Sequence, residues 1–261
     1  MSEPAAFFLP DGDRFVPTEL TRGPWDPAAQ HGGPPAALLG RAIERAGADR
    51  PELPVARVTL ELVRPVPLRP LLLATRLLKG GRNVERVEAT LAADGVECMR
   101  ATALRVRAAP ATVPATPGGD PLPGPEVGEP GPPLPVPWTV GYHTAMEWRF
   151  VRGSFGRPGP ATAWLRMRHP LVPDETPSPL GRVLIAADSG NGISAVLDWR
   201  SWRFINPDLT VALFRQPAGE WVCLEARTSV APGAPGLAAS TLHDRDGPLG
   251  HALQTLLIAG R

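Results

Sequence analysis

The stretch Gly32-Gly33-Pro34-Pro35-Ala36-Ala37-Leu38-Leu39-Gly40-Arg41-Ala42-Ile43-Glu44-Arg45-Ala46 reads as one amphipathic helix. Leu38, Leu39, Ala42, Ile43 and Ala46 recur at helical spacing with Arg41, Glu44 and Arg45 opposite. The prolines suit a first turn, where a missing N–H costs nothing. Beyond the helix the period changes to two. Val58, Leu60 and Leu62 alternate with Arg57, Thr59 and Glu61, and strand-like runs follow over Leu71 to Leu78, Val84 to Ala92 and Val96 to Val106. Gly80-Gly81 and Asp94-Gly95 between them are signals of tight antiparallel connections. The predicted unit is therefore α+β: one helix wrapped by a long antiparallel meander.

The unit recurs. Ser178-Pro179 opens a second helix that runs to Ala187. Trp202 to Ile205, Leu209 to Phe214, Trp221 to Thr228, Leu237 to His243 and Leu249 to Ile258 then read as strands. Leu39-Gly40-Arg41 returns as Leu180-Gly181-Arg182, Arg64-Pro65 as Asn206-Pro207, and Asp94-Gly95 as Asp246-Gly247. Three matches in the same order indicate a duplication. Further strand-like segments precede the helices, at Phe7 to Phe15 and Tyr142 to Met167. Between the copies, Pro110 to Pro137 holds eleven prolines and five glycines in 28 residues, with no aromatic, Lys or Arg. Such a segment favours extended, polyproline-like conformations and cannot bury a core of its own. The expected organisation is a domain at 1–109, a linker at 110–137 and a domain at 138–261.

Composition narrows the function. With 27 Lys and Arg against 26 Asp and Glu, the net charge is +1, which leaves no basic excess to neutralise a phosphate backbone. Nucleic acid is not an expected partner. The apolar runs are far shorter than the ~20 residues of a membrane-spanning helix, and Met1-Ser2-Glu3-Pro4 lacks the features of a signal peptide. A cytoplasmic protein that is not integral to a membrane is expected. Cys98, Cys223 and five scattered histidines show no metal-ligand spacing, so no metal site is expected. Val183 to Ala187 followed by Gly190-x-Gly192-x-x-Ala195 imitates a dinucleotide-binding turn, but the residues that follow leave room for neither a full helix nor a parallel return strand. Gly153-Ser154-Phe155-Gly156 lacks the spacing of a nucleophile elbow. Six of the seven tryptophans fall after the linker, where packing in a core is the first expectation and an acyl or aromatic pocket the second.

The stretch Gln30-His31-Gly32-Gly33-Pro34, the later Leu62-Val63-Arg64-Pro65, Asp188 at the end of the second helix, and Leu253-Gln254 near the C-terminus resemble the TesB-like acyl-CoA thioesterases. The resemblance spans nearly the whole chain apart from the linker. It implies a double hotdog fold, two long curved antiparallel sheets each wrapped around a central helix. It also implies hydrolysis of an acyl-CoA or acyl-carrier thioester without metal or organic cofactor, by a water held between an Asp, a Ser or Thr, and a Gln. Asp188 and Gln254 fall on the Asp and Gln positions. Where the family pattern has the hydroxyl, this chain reads Ala195-Val196-Leu197, and Ser194 is the nearest substitute. Association into a homo-oligomer is a further expectation from the family.

On residues alone, Asp188 follows Leu184 and Ile185 by four and three positions and shares their apolar face. Burial and the negative end of the helix dipole then raise its pKa toward that of a general base. The same placement equally suits an Asp that caps the Ser189-Gly190-Asn191-Gly192 loop. Gln254 could orient a water through its amide, or be an ordinary strand residue. Gly32 and Gly33 could offer N–H donors to a developing oxyanion, with His31 beside them as acid or donor, or simply permit a tight turn into the helix. Two other readings stay open: a non-catalytic acyl-binding module, favoured by the missing hydroxyl, and an acyl-thioester hydratase or dehydratase. The latter requires a histidine paired with an acid, and no pairing is evident in the sequence.

Overall fold

The computed structural model describes residues 5–116, 122–134 and 136–261. In chain order the elements are β1 (Phe8–Asp11), β2 (Arg14–Pro17), α1 (Gly33–Ala46), β3 (Val55–Leu62), β4 (Leu71–Lys79), β5 (Val84–Ala93) and β6 (Val96–Val106). After the proline-rich segment come β7 (Glu129–Pro130), α2 (Tyr142–Ala145), β8 (Met146–Ser154), β9 (Arg157–Met167), α3 (Pro179–Ala187) and α4 (Gly190–Ile193). The chain closes with β10 (Trp202–Ile205), β11 (Asp208–Leu213), β12 (Val222–Ser229), β13 (Gly236–Asp244) and β14 (Gly247–Gly260). Both long helices coincide with the two predicted stretches. The expected strand over Phe7 to Phe15 is part of the β1–β2 hairpin, and Tyr142 to Met167 holds a helical turn and a hairpin.

The strands form one continuous antiparallel sheet in the order β1-β2-β4-β5-β6-β3-β11-β14-β13-β12-β9-β8-β7, with β10 also on β14. Reading outward from the central β3–β11 pair, the order on one side mirrors that on the other, which is what a duplicated unit requires. At the centre Thr59 stands opposite Thr210, their hydroxyls 3.2 Å apart. This edge-to-edge join merges the two expected sheets of the double hotdog. Asp94 and Gly95 both have positive φ, of 50° and 77°, in the tight β5–β6 turn that their sequence predicts.

One proposed correspondence fails. Asn206-Pro207 interrupts the line of β10 and β11, both paired with β14, whereas Arg64-Pro65 lies beyond the end of β3. A proline has no N–H for the ladder, so ending a strand and interrupting one leave the same mark in the sequence.

The core lies inside the curl of the sheet. α1 packs on β4, β5 and β6, α3 on β9, β12 and β13, and the two helices run against each other. Leu38, Leu39 and Ile43 of α1 and Val183, Leu184 and Ile185 of α3 are fully buried, as their spacing requires. The proline-rich segment is more than a bare strap: it forms a 3-10 turn at Pro125–Val127, pairs with β8 through β7, and accepts the Trp164 indole N–H on the Pro123 carbonyl at 2.8 Å. Among the described residues no helix is long and apolar enough to cross a membrane.

Candidate active site

The antiparallel helices bring the N-terminus of α1 against the C-terminus of α3. Only glycine permits so close an approach. A Cβ on Gly33 would lie 2.4 Å from the Ile185 carbonyl oxygen, and one on Gly32 2.8 Å from Asp188 Oδ2. The contact sets His31, just before α1, beside Asp188, which caps α3. His31 Nδ1 is 3.0 Å from Asp188 Oδ2. A proton shared between Nδ1 and the carboxylate would relieve the repulsion of two lone pairs at that distance. The Gly33 N–H is directed at Nδ1, 3.1 Å away, and also favours the charged form of the carboxyl, and Asn206 Nδ2 donates to Oδ1 at 2.9 Å. Asn206 is itself held by a second bond to the Asp208 carbonyl at 3.2 Å.

The imidazole is clamped on its face as well. Tyr142 stacks on it with ring centroids 3.7 Å apart and planes 11° from parallel. Tyr142 in turn donates its hydroxyl to the Ile185 carbonyl at 2.7 Å and accepts from Ser189 Oγ at 2.9 Å. Burial pushes the phenol far above its ordinary range, so it stays neutral and acts as a platform.

The electrostatics reverse the expectation for Asp188. Burial alone would raise its pKa, but the adjacent His31, then Asn206 and the Gly33 N–H, outweigh that effect and hold the carboxyl below the usual aspartate range. The carboxyl of Asp188 therefore favours its charged form, which suits a counter-ion better than a base. The imidazole has its Nδ1 committed to Asp188, while among the described residues no protein group bonds Nε2.

His31 also lines a cavity of about 630 Å³, whereas Asp188 lies behind it. That volume is ordinary for a small-molecule site. Tyr142, Trp148, Phe155, Trp25, Trp199 and Phe204 supply most of the aromatic wall. So the core expectation for the tryptophans after the linker holds for Trp164, which is fully buried, but not for Trp148 and Trp199, which line the cavity together with Trp25 from before the linker. Ser189 and Asn191 are the polar residues that line the cavity from the end of α3 and from α4. Asn191 Nδ2 donates to the Phe204 carbonyl at 3.3 Å, which leaves one amide hydrogen uncommitted.

The other predicted residues separate. Gln254 reaches Asp188 only through the main chain, donating to its carbonyl at 3.1 Å while accepting the Asn191 N–H at 2.9 Å. It braces the α3–α4 junction and does not touch the carboxylate. Ser194 is buried with its hydroxyl donated to the Gly190 carbonyl at 2.8 Å and facing Thr228 Oγ1 at 2.8 Å. It does not line the cavity, so it cannot serve there as the third member. Gly32 and Gly33 do not line it either; the Gly33 N–H is spent on the His31–Asp188 pair, because the helix end is turned toward α3. No acidic partner for a histidine is evident in the sequence; the fold supplies one for His31. Asn206, Tyr142 and Asn191 went unread. Asn206 offered one signal, a polar residue before a proline between two strand-like runs.

The opposite end of the helix pair, related by the duplication, is closed by other chemistry. Ser178 donates to Glu44 at 2.5 Å, and Glu175 bonds both Arg41 and Arg45 at 2.6 and 2.9 Å. None of these residues is a histidine, so among the described residues the paired imidazole and carboxylate occur at one end of the helix pair alone.

Comparison with known proteins agrees with this asymmetric double unit. Residues 21–106 match the model of an acyl-CoA thioesterase N-terminal domain, and residues 110–258 that of an acyl-CoA thioesterase C-terminal domain. The chain belongs to the acyl-CoA thioesterase family. The TesB-like resemblance in its sequence is one expression of that membership. Solved structures share the family's hotdog fold. A protein described as a thioesterase from Novosphingobium aromaticivorans is 21% identical, with 98% of this chain and 99% of that one covered at a TM-score of 0.74. A hot dog fold protein of unknown function from Alicyclobacillus acidocaldarius is 17% identical over 97% and 95%, at 0.71. The acyl-CoA thioesterase II TesB2 from Mycobacterium marinum is 14% identical over 90% and 91%, at 0.64. No curated protein matches the chain by sequence.

Proposed function

We propose that this chain hydrolyses acyl-CoA or acyl-carrier thioesters with His31 as the proton-transferring residue and Asp188 as its counter-ion. The observation that carries the reading is the His31–Asp188 pair, whose imidazole lines an aromatic cavity. In the step proposed, Nε2 accepts a proton from water while the water oxygen bonds to the thioester carbonyl carbon. The tetrahedral intermediate then expels the thiolate as its C–S bond breaks. The imidazolium returns the proton to that sulfur, so one acid and one thiol leave for each water consumed. Asp188 holds the tautomer that exposes Nε2 as an acceptor and stabilises the imidazolium without being protonated itself. This transfers the role of base from Asp188 to His31. It also removes the need for a hydroxyl at Ala195 to Leu197. Asn191 is assigned the amide donor to the carbonyl oxygen. Arg157, exposed on the cavity rim, supplies positive charge for the phosphates of the carrier. The two hotdog units are taken as 1–109 and 138–261.

A thiol-release assay over short, medium, long and aromatic acyl-CoA thioesters tests the proposal. Turnover that collapses in both His31→Ala and Asp188→Asn while both variants stay folded supports it. Full turnover in His31→Ala would remove the imidazole from the mechanism. No thiol release from any substrate would leave a binding module.

The same pair favours one second reading. A histidine held by a carboxylate beside an apolar cavity can also exchange a proton at the carbon next to a thioester carbonyl, adding water across an enoyl double bond or removing it. Loss of enoyl-thioester absorbance without thiol release would identify that chemistry. Hydrolysis is the better supported of the two because both halves of the chain match thioesterase domains.

A further inference from the structure

The thioesterase reading leaves open how long an acyl group the cavity accepts. We propose that Pro132, Pro133, Leu134 and Val136 of the proline-rich segment form the wall of that cavity met by the acyl tail and that Leu134 and Val136 set the limit of acyl length; this rests on the thioesterase reading and deepens it. The cavity runs along a ladder of rings. His31 stacks on Tyr142, Tyr142 meets Trp148 edge-on at 5.9 Å, and Trp148 meets Phe155 at 4.9 Å. Phe155 and its neighbour Phe150 end against Gly131, where even a Cβ would lie 2.8 Å from Phe150 Cε2. Beyond Gly131 the chain lines the cavity with Pro132, Pro133, Leu134 and Val136. Gly131 thus stands three ring contacts from the imidazole, at the Phe155 end of the cavity.

Its composition suits a wall. A backbone N–H facing an apolar cavity would be left without a partner, a costly arrangement. Pro132 and Pro133 have no N–H to strand. The Val136 N–H is satisfied internally by the Leu134 carbonyl at 2.8 Å. Position is fixed from outside the cavity: Glu129 and Pro130 pair with Phe150 and Arg149 of β8, and the Trp164 indole holds the Pro123 carbonyl. A chain anchored in this way cannot retreat freely before a growing acyl tail. Leu134 and Val136, both half-buried, are the aliphatic side chains that such a tail meets.

The test measures binding and not turnover, with S-alkyl coenzyme A thioethers, which cannot be hydrolysed, graded from propyl to hexadecyl. Isothermal titration on the full chain should show an affinity that climbs with length and then breaks. In Leu134→Trp the break should move to shorter chains, with the longest thioether accepted by the wild type weakened ~10–200-fold and propyl unchanged, the range expected for a methylene that no longer fits. Leu134→Ala and Val136→Ala should move it to longer chains. A break at the same length in all four proteins, uniform weakening at every length, or no thioether binding to the wild type would each overturn the wall. Thiol release is measured separately on the matching acyl thioesters. Release with an unmoved length profile overturns the wall and leaves hydrolysis standing, whereas graded binding that shifts as predicted without release overturns hydrolysis and leaves the wall.

Discussion

His31 and Asp188, which come from opposite halves of the chain, stand 3.0 Å apart between Nδ1 and Oδ2, and the ring side of the pair lines the aromatic cavity while the carboxylate is buried behind it. If the pair transfers protons as a unit, its members are not independent. His31→Ala and Asp188→Asn should each lower kcat for thiol release by ~10²–10⁴-fold, the range for general acid–base catalysis, with a smaller change in KM. The double variant should be little worse than the single ones. Additive losses in steady-state kinetics would separate the two residues.

Asn206 positions the carboxylate without touching the cavity wall. Asn206→Ala removes a hydrogen bond to a charged, buried group and should cost roughly 1.5–3 kcal/mol in urea-induced unfolding at neutral pH. It should also reduce kcat, because Asp188 can then turn away from the imidazole. Unchanged stability and turnover would show that the 2.9 Å bond is idle.

Gly33 is required by the closeness of the helices. In Gly33→Ala the new methyl meets the Ile185 carbonyl oxygen at 2.4 Å, so α1 and α3 must part. Overpacking of this kind costs about 1–3 kcal/mol. Separation of His31 from Asp188 should reduce turnover as well, and thermal unfolding with kinetics on one preparation reads both effects.

Acid should loosen the site before neutral pH does. Asp188 has a folded pKa below its ordinary value, so its contribution to stability is complete above the ordinary aspartate range and is lost as pH falls through the folded value. Unfolding midpoints taken from neutral pH down to about 3, below the ordinary range near ~4, should fall more steeply for the wild type than for Asp188→Asn. Parallel curves would show that the carboxylate gains nothing from its neighbours.

A distant ion pair serves as a control. Arg215 grips buried Asp244 at 2.7 and 2.6 Å, and the N–H groups of Ala218 and Asp246 complete the shell. Its carboxyl also sits below the usual range: burial opposes this, but Arg215 and the two N–H donors prevail. Asp244→Asn should cost roughly 1–3 kcal/mol, discounted for the partial exposure of Arg215, and leave kcat per folded molecule unchanged. A large loss of turnover would show that stability alone moves the site.

Much of the fold was legible because its signals are local. The helix over Gly33–Ala46 follows from the spacing of Leu38, Leu39, Ala42 and Ile43, and the β5–β6 turn from Asp94-Gly95. The site was legible only in part. Asp188 could be singled out as a carboxylate at a helix end, but its depressed pKa comes from His31 and Asn206, neither adjacent in the chain. Gln254 and Ser194 carried the right side-chain chemistry but the wrong geometry. Their polar atoms are spent on the α3–α4 backbone and on Thr228, a choice made by the register of β12, β13 and β14.

The sequence by itself determined the periodicities, the turn positions, the duplication and the family, since each depends on neighbours within a few residues or on the order of motifs along the chain. Tertiary structure alone decided that the imidazole before α1 meets the carboxylate ending α3, and that a proline-rich stretch becomes the wall of a cavity. Both depend on how two helices pack inside one sheet. The spacing of that packing is set by the sum of many side-chain contacts, and no local pattern records it.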